Sequence, residues 1–72
     1  MTEEEALGRV FRELRGKKSQ ELIGFDLGFT QHKVSDLERK GIYSYPDLKA
    51  IAKFYDMKVS ELVKRAENMV TE

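Results

Sequence analysis

Apolar residues recur along this chain at the three- and four-residue spacing of α-helices, and no stretch alternates in the manner of a β-strand. Thr2 and Glu5 form a capping-box pattern at the start of the first predicted helix, and Gly16 ends that helix. Ser19 is placed to cap a second helix that runs to about Leu27. The first part of the chain is therefore predicted to be two helices joined by a short link.

A third helix is predicted after a tight junction. Thr30 is placed to cap it, and Gly41 ends it. Val34 and Leu37 face the core at helical spacing, whereas the polar residues between them face outward. Phe29 and Val34 also occupy the positions of a hydrophobic staple, which would fix the angle at which the chain enters this helix.

Two more helices complete the pattern. Pro46 favours the first turn of the fourth helix, and Ser60 is placed to cap a last helix over about residues 60–70. The pattern predicts an all-α, compact five-helix bundle that forms a single domain over residues 1–72. The aromatic residues assigned to its core are Phe11, Phe25, Phe29, Phe54 and Tyr55.

Two glycines mark the junction of the second and third helices. Gly24 lies inside a helix, where glycine costs about 1 kcal/mol relative to alanine. Gly28 lies at the junction, where a left-handed backbone is easiest for glycine. Together they predict that two helices cross closely and steeply over about residues 19–40. This is the helix-turn-helix arrangement, whose second helix enters the major groove of DNA.

The distribution of charge bears on that interpretation. Thirteen basic and thirteen acidic residues leave no net charge, which weighs against nucleic-acid binding, because most such domains are basic. Residues 9–40, however, carry eight basic and five acidic residues. The helix-turn-helix segment and the helix before it are therefore locally basic.

Residue usage also limits cofactors and location. The chain has no cysteine and one histidine, so neither a disulfide nor a metal or other cofactor is expected. No apolar run approaches the roughly 20 residues needed to span a bilayer. The acidic start lacks the apolar core of a signal peptide, so a cytoplasmic protein without a membrane partner is expected.

Four segments are similar to successive helices of one family of DNA-binding regulators. They are LGRVFRELR (7–15), SQELIGFDLG (19–28), FTQHKVSDLER (29–39) and LKAIAKFYDMKVSEL (48–62). In this order and spacing, residues 7–63 resemble the lambda-repressor-like family of helix-turn-helix regulators, also called the Cro/CI or Xre family. The resemblance implies a five-helix fold whose third helix recognises DNA.

Three features depart from the family's pattern. The link Gly16-Lys17-Lys18 is about two residues shorter than usual, and Gly24 replaces the usual alanine. The aromatic loop at residues 41–45 is shorter by about one residue. The first departure bears on the packing of the first helix, and the third bears on phosphate contacts from the loop.

The resemblance also implies roles for single residues. In similar proteins a glutamine at the position of Gln20 binds a phosphate and braces the recognition helix. Arg15 and Glu38 match positions that form a partly buried ion pair between helices one and three. The role of this ion pair would be structural. A structural role is also predicted for Gly24 and Gly28.

The third helix carries side chains suited to DNA. The major groove admits an α-helix, and its base edges present a code of donors and acceptors. Glutamine can bond N6 and N7 of adenine, and lysine can donate to O6 and N7 of guanine. Helix starts favour anions, so phosphate contacts are expected there too. The predicted DNA-binding residues are Ser19, Gln20, Thr30, Gln31, His32, Lys33, Ser35, Arg39, Lys40 and Tyr43.

Asp36 carries negative charge on this helix. Its carboxylate can accept a hydrogen bond from N4 of cytosine, or it can lie near phosphate and weaken binding. The interpretation favoured over direct base readout is a role in selectivity or a local pair with Arg39 or Lys40.

The whole pattern favours a sequence-specific transcriptional regulator that binds double-stranded DNA. A homodimer on a palindromic operator would hold two recognition helices about 34 Å apart, one turn of DNA. The last helix offers more apolar surface than closing the bundle requires. The residues expected in the dimer contact are Leu62, Val63, Ala66, Met69 and Val70.

The alternative is a protein-interaction module of the same fold, such as an antitoxin-like or scaffold protein without strong DNA binding of its own. The zero net charge, Asp36 and the shortened first link favour it. An enzyme is not expected, because the sequence contains no recognisable carboxylate pair, nucleophile–base set or phosphate loop.

Overall fold

Five α-helices and no strand make up residues 1–71, the part of the chain that the computed structural model describes. In chain order they are α1 (Glu3–Arg15), α2 (Gln20–Leu27), α3 (Gln31–Lys40), α4 (Tyr45–Phe54) and α5 (Val59–Thr71). The molecule measures 32 × 23 × 22 Å. The predicted all-α bundle of five helices is confirmed for these residues.

Side-chain caps start the first three helices where the sequence predicts them. The Thr2 hydroxyl accepts a hydrogen bond from the Glu5 amide, and the Glu5 carboxylate accepts one from the Thr2 amide, both at 3.1 Å. The bond from the Thr2 amide holds the pKa of Glu5 below its ordinary value of 4.5. The hydroxyls of Ser19 and Thr30 accept from the amides three residues further on, at 3.1 and 3.0 Å.

The starts of the last two helices match the prediction only in part. Pro46 lies in the first turn of α4, as predicted. The prediction that Ser60 caps the last helix is wrong, because α5 already begins at Val59. The Glu61 carboxylate instead accepts from the Lys58 amide at 3.2 Å, so an acidic side chain inside the first turn reaches back to the helix start.

Every helix contributes to one core. α1 packs against both α3 and α5, α2 packs against α3, and α4 contacts α2 and α5. Val34 and Leu37 are buried, as the sequence predicts. The largest fully buried side chains are Phe11, Ile23, Ile51, Leu62, Val10 and Val34.

Two of the five aromatic residues assigned to the core lie outside it. Phe25 is 86% exposed and Phe54 is 41% exposed, so their assignment to the core is wrong. Ile23 and Leu27 occupy the inward face of α2, and Phe25 projects from the opposite side of that helix. The Phe54 ring packs edge-on against Tyr55 at the margin of the core, with 5.0 Å between ring centroids.

The predicted dimer contact also needs correction. Leu62 is 2% exposed and Ala66 is fully buried within the single chain, so neither is available to a second copy. Both are needed to close the core between α5 and the rest of the bundle. Val63 and Met69 are half-buried, and Val70 is 43% exposed. Only these three of the predicted contact residues retain surface for a partner.

Two glycines within helices allow neighbouring helices to approach closely. A Cβ atom at Gly24 would lie 2.7 Å from the Phe29 carbonyl oxygen and 3.3 Å from Val34 Cγ2. A Cβ atom at Gly8 would lie well inside van der Waals contact of the Leu37 carbonyl oxygen. Gly24 therefore allows the close α2–α3 approach that the sequence predicts. Gly8 does the same for α1 and α3, where the sequence pattern predicts no such approach.

Candidate nucleic-acid interface

A turn of three residues sets the position of α3 relative to α2. Gly28 adopts the left-handed conformation, with φ 77° and ψ 23°, as predicted. The Phe29 amide donates to the Gly24 carbonyl at 2.7 Å, so the turn closes on the last residues of α2. Thr30 then caps α3. The first residue of α3, Gln31, consequently stands at the exposed end of the turn.

α3 presents two neighbouring rows of polar side chains, because residues four apart lie on one side of a helix. One row is Gln31, Ser35 and Arg39, and the other is His32, Asp36 and Lys40. The two ends of each row are exposed and the middle residues are half-buried. These six residues form a continuous polar surface opposite the buried side of the helix.

Three side chains of that surface lie close to the Asp36 carboxylate. This carboxylate lies 2.8 Å from Arg39 Nη2, 3.3 Å from His32 Nε2 and 3.8 Å from Lys40 Nζ. The expected local pair with Arg39 or Lys40 is therefore present. Both cationic side chains are 66% exposed, and exposed pairs of this kind contribute only about 0–1 kcal/mol.

Lys33 turns away from the two rows. Its Nζ lies 2.9 Å from Asp47 on α4 and 4.2 Å from the centroid of the Phe29 ring. The ion pair and the cation–π contact hold this side chain across the gap between α3 and α4. Of the residues predicted to meet DNA, Lys33 is thus separated from Gln31 and His32.

Arg15, Glu38 and Gln20 join α1, α3 and the start of α2. The Glu38 carboxylate accepts from Arg15 Nε at 2.6 Å, from Arg15 Nη2 at 2.9 Å and from Gln20 Nε2 at 3.1 Å. The Glu38 side chain is 4% exposed. The hydrogen bond to the Glu38 carboxylate raises the pKa of the Arg15 guanidinium. The ion pair that the resemblance implies between helices one and three is present, and Gln20 braces α3 as expected.

The remaining predicted contacts lie at the helix ends. The Tyr43 side chain is 71% exposed, and its hydroxyl donates to the Lys40 carbonyl at 3.1 Å. Ser19 and Thr30 are exposed, and their hydroxyls serve as the caps described above. A phosphate at either helix start would therefore meet backbone amides in addition to a hydroxyl.

A cleft of about 280 Å³ lies beside the Gln31 row, between α1, the start of α2 and α3. Sequence reasoning assigned no role to Arg12, which lines this cleft together with Ser35 and Arg39. The signal was available: Arg12 precedes Arg15 by three residues on α1, and helical residues three apart are neighbours. A pair between Arg15 and Glu38 therefore brings Arg12 to α3 as well.

Metal-binding clusters and membrane-spanning helices are both absent from the described part of the chain. Residues 1–71 contain no group of three or more histidine, cysteine, aspartate or glutamate side chains placed to hold a metal ion. None of the helices within the same residues is both long enough and apolar enough to cross a membrane.

Comparison of the chain with family models, with curated proteins and with solved structures found no match. Function is therefore inferred from the side chains and geometry of this chain. The features that bear on it are the polar surface of α3, the turn before it and the basic cleft beside it.

Proposed function

We propose that this protein is a sequence-specific DNA-binding regulator that inserts α3 into the major groove as the second helix of a helix-turn-helix. The observation that carries the proposal is the exposed polar surface of α3, which begins at Gln31 directly after the left-handed turn at Gly28. An α-helix fits the major groove, and amide and imidazole side chains at its start can reach base edges.

The ion pairs on α3 do not prevent such binding. Each pair of Asp36 with Arg39 or Lys40 is exposed and weak, so a phosphate can replace the carboxylate as the partner of the cation. Release of counterions from the duplex adds a favourable contribution at low salt. Asp36 then lowers the affinity for every duplex. Tight binding therefore depends more strongly on the contacts of Gln31 and His32 with the bases.

A second copy of the chain would double the recognition surface. In the proposed homodimer, α5 supplies the contact through Val63, Met69 and Val70, the apolar residues of that helix that keep some exposed surface. Two copies related by a two-fold axis would read a palindromic operator with half-sites about one helical turn apart.

The proposal is tested by selecting bound sequences from random duplexes at a stated salt concentration. We expect a defined motif and an affinity that falls steeply as salt increases. Gln31→Ala should weaken binding to the best sequence by roughly 1–3 kcal/mol and relax the preference at one base position, because a base-edge contact is lost.

Asn68→Ala is the matched control, since it removes an exposed amide side chain from α5. It should leave both affinity and motif unchanged. Loss of affinity by Gln31→Ala to the same extent on every duplex would contradict base reading. Failure of the wild-type protein to bind any duplex at low salt would contradict the proposal as a whole.

One observation favours the protein-interaction module as a second candidate. Leu22 and Phe25 lie three residues apart on the outer side of α2 and are 56% and 86% exposed. Large apolar side chains exposed together are a feature of protein contacts. A protein that binds no duplex, and that loses a protein complex when Phe25 is replaced by serine, would fit this candidate.

A further inference from the structure

The cleft between α1 and α3 contains more positive than negative charge. Its lining residues are Arg12, Arg15, Gln20, Ser35, Glu38 and Arg39. Glu38 is the only acidic residue among them, and its carboxylate already accepts three hydrogen bonds from Arg15 and Gln20. Arg15 and Glu38 therefore neutralise each other, and Arg12 and Arg39 supply the charge that remains.

Arg12 is available to a ligand. Its side chain is exposed, and no carboxylate among residues 1–71 lies within ion-pair distance of its guanidinium. Arg39, on the other wall, is held only by the exposed pair with Asp36. One turn earlier on α1, Arg9 lines an adjoining hollow that Arg12 and Arg39 also line. Three carboxylates, those of Glu5, Glu13 and Glu38, line the same hollow, so the positive charge there is balanced.

The short link between α1 and α2 brings the cleft walls together. Arg15 Nη1 donates to the Lys18 carbonyl at 2.8 Å, which ties the link back onto α1. The same guanidinium binds Glu38 on α3 through its other nitrogen atoms. Because α1 is held this closely to the start of α2, the Arg12 side of α1 lies beside Gln20 and Ser35.

We propose that this cleft binds one phosphate of the DNA backbone, with Arg12 as the main contact and with Arg39 and the Ser35 hydroxyl on the opposite wall. A guanidinium presents paired N–H donors that match two phosphate oxygens. The neutralised Glu38 does not repel the anion as a free carboxylate would. This inference rests on the proposed function and makes α1 part of the DNA contact.

A salt titration of DNA binding tests the inference. Affinity for the selected duplex and for a random duplex is measured at several salt concentrations for the wild type, for Arg12→Gln and for Arg9→Gln. Loss of one phosphate contact should reduce the slope of log affinity against log salt by about 0.9 in Arg12→Gln. The affinity should fall by the same factor on both duplexes, because a phosphate contact carries no sequence information.

Arg9→Gln is the matched control, since it removes the same charge from an exposed position on the same helix. Its slope should remain that of the wild type. Equal slopes for all three proteins would overturn the inference while leaving DNA binding intact. A wild-type protein without salt-dependent DNA binding would overturn the proposed function, and the phosphate site with it.

Two further measurements separate a DNA phosphate contact from a folding defect and from binding of a free anion. Circular dichroism and urea unfolding of Arg12→Gln should match the wild type, since the exposed side chain contributes nothing to the core. Titration with inorganic phosphate, followed by NMR of the arginine N–H groups, tests for a free anion as the ligand. Saturable phosphate binding together with an unchanged DNA salt slope in Arg12→Gln would overturn the assignment to DNA.

Discussion

At the scale of a single residue, Glu38 shows how a charged side chain on α3 can be buried against α1. It lies on the helix proposed to meet DNA, yet its side chain is almost fully buried and faces α1. An isolated carboxylate at such a depth is costly, so its three hydrogen bonds from Arg15 and Gln20 are necessary as well as favourable. The carboxylate thereby fixes where α3 sits against α1 and α2.

Removal of one partner of this pair should be more harmful than removal of both. Arg15→Met leaves Glu38 buried without a countercharge, and we expect it to lower the free energy of unfolding by about 3 kcal/mol. The double variant Arg15→Met/Glu38→Met should lie within about 1 kcal/mol of the wild type, since the buried charge is gone. Urea denaturation measures both values.

Arg39→Met serves as the control, because it breaks the exposed pair with Asp36. It should change the free energy of unfolding by at most about 1 kcal/mol. A double variant that is less stable than Arg15→Met alone would contradict this interpretation of the pair.

At the scale of helices, α1 and α3 approach each other closely at Gly8. The Leu37 and Glu38 carbonyl oxygens of α3 approach the Cα atom of Gly8 so closely that no side chain fits between them. The Gly41 Cα atom lies at 3.3 Å from the position that a Cβ atom would occupy. All three neighbours are backbone atoms, which cannot rotate aside.

Gly8→Ala should therefore destabilise the protein despite the better helix propensity of alanine. That propensity favours the variant by about 1 kcal/mol, while overpacking against backbone costs typically about 1–3 kcal/mol and more where nothing relaxes. We expect a net loss of about 2 kcal/mol in the free energy of unfolding, measured by urea denaturation. The control is Glu13→Ala at an exposed position of the same helix, which should stay within about 0.5 kcal/mol of the wild type. A Gly8→Ala variant as stable as Glu13→Ala would disprove the close approach.

At the scale of the whole molecule, two surfaces are candidates for the contact in the proposed homodimer. The fold uses Leu62 and Ala66 for its own core, so α5 offers only the residues at the edge of its inner face. α2 offers Leu22 and Phe25, which are more exposed. The two helices are thus alternative candidates for a dimer contact.

Substitution on each helix distinguishes them. If α5 forms the contact, Val70→Lys should weaken the dimer by about tenfold or more, because an unpaired charge would be buried at the interface. Leu22→Lys, an equally large change on α2, should leave the dimer unchanged. Sedimentation equilibrium measures both, and the reverse result would move the contact from α5 to α2.

The sequence by itself determined the helices and most of their boundaries. Caps at Thr2, Ser19 and Thr30 and the left-handed turn at Gly28 depend on atoms a few residues apart, so their positions follow from local spacing. The buried residues of α3 follow in the same way from helical periodicity. The capping role of the Glu61 carboxylate at the start of α5 was not predicted, because Ser60 also fits the local pattern of a helix cap.

Only the tertiary structure decided which helix faces are covered and which charges meet. Periodicity alone does not show that Leu62 and Ala66 are buried inside the monomer, or that the Phe25 side chain is left 86% exposed. Likewise, Asp47 draws Lys33 towards α4, and the Arg15–Glu38 pair brings Arg12 beside α3. These outcomes depend on contacts between residues far apart in the chain, because packing of the helices, and not their local propensity, sets those distances.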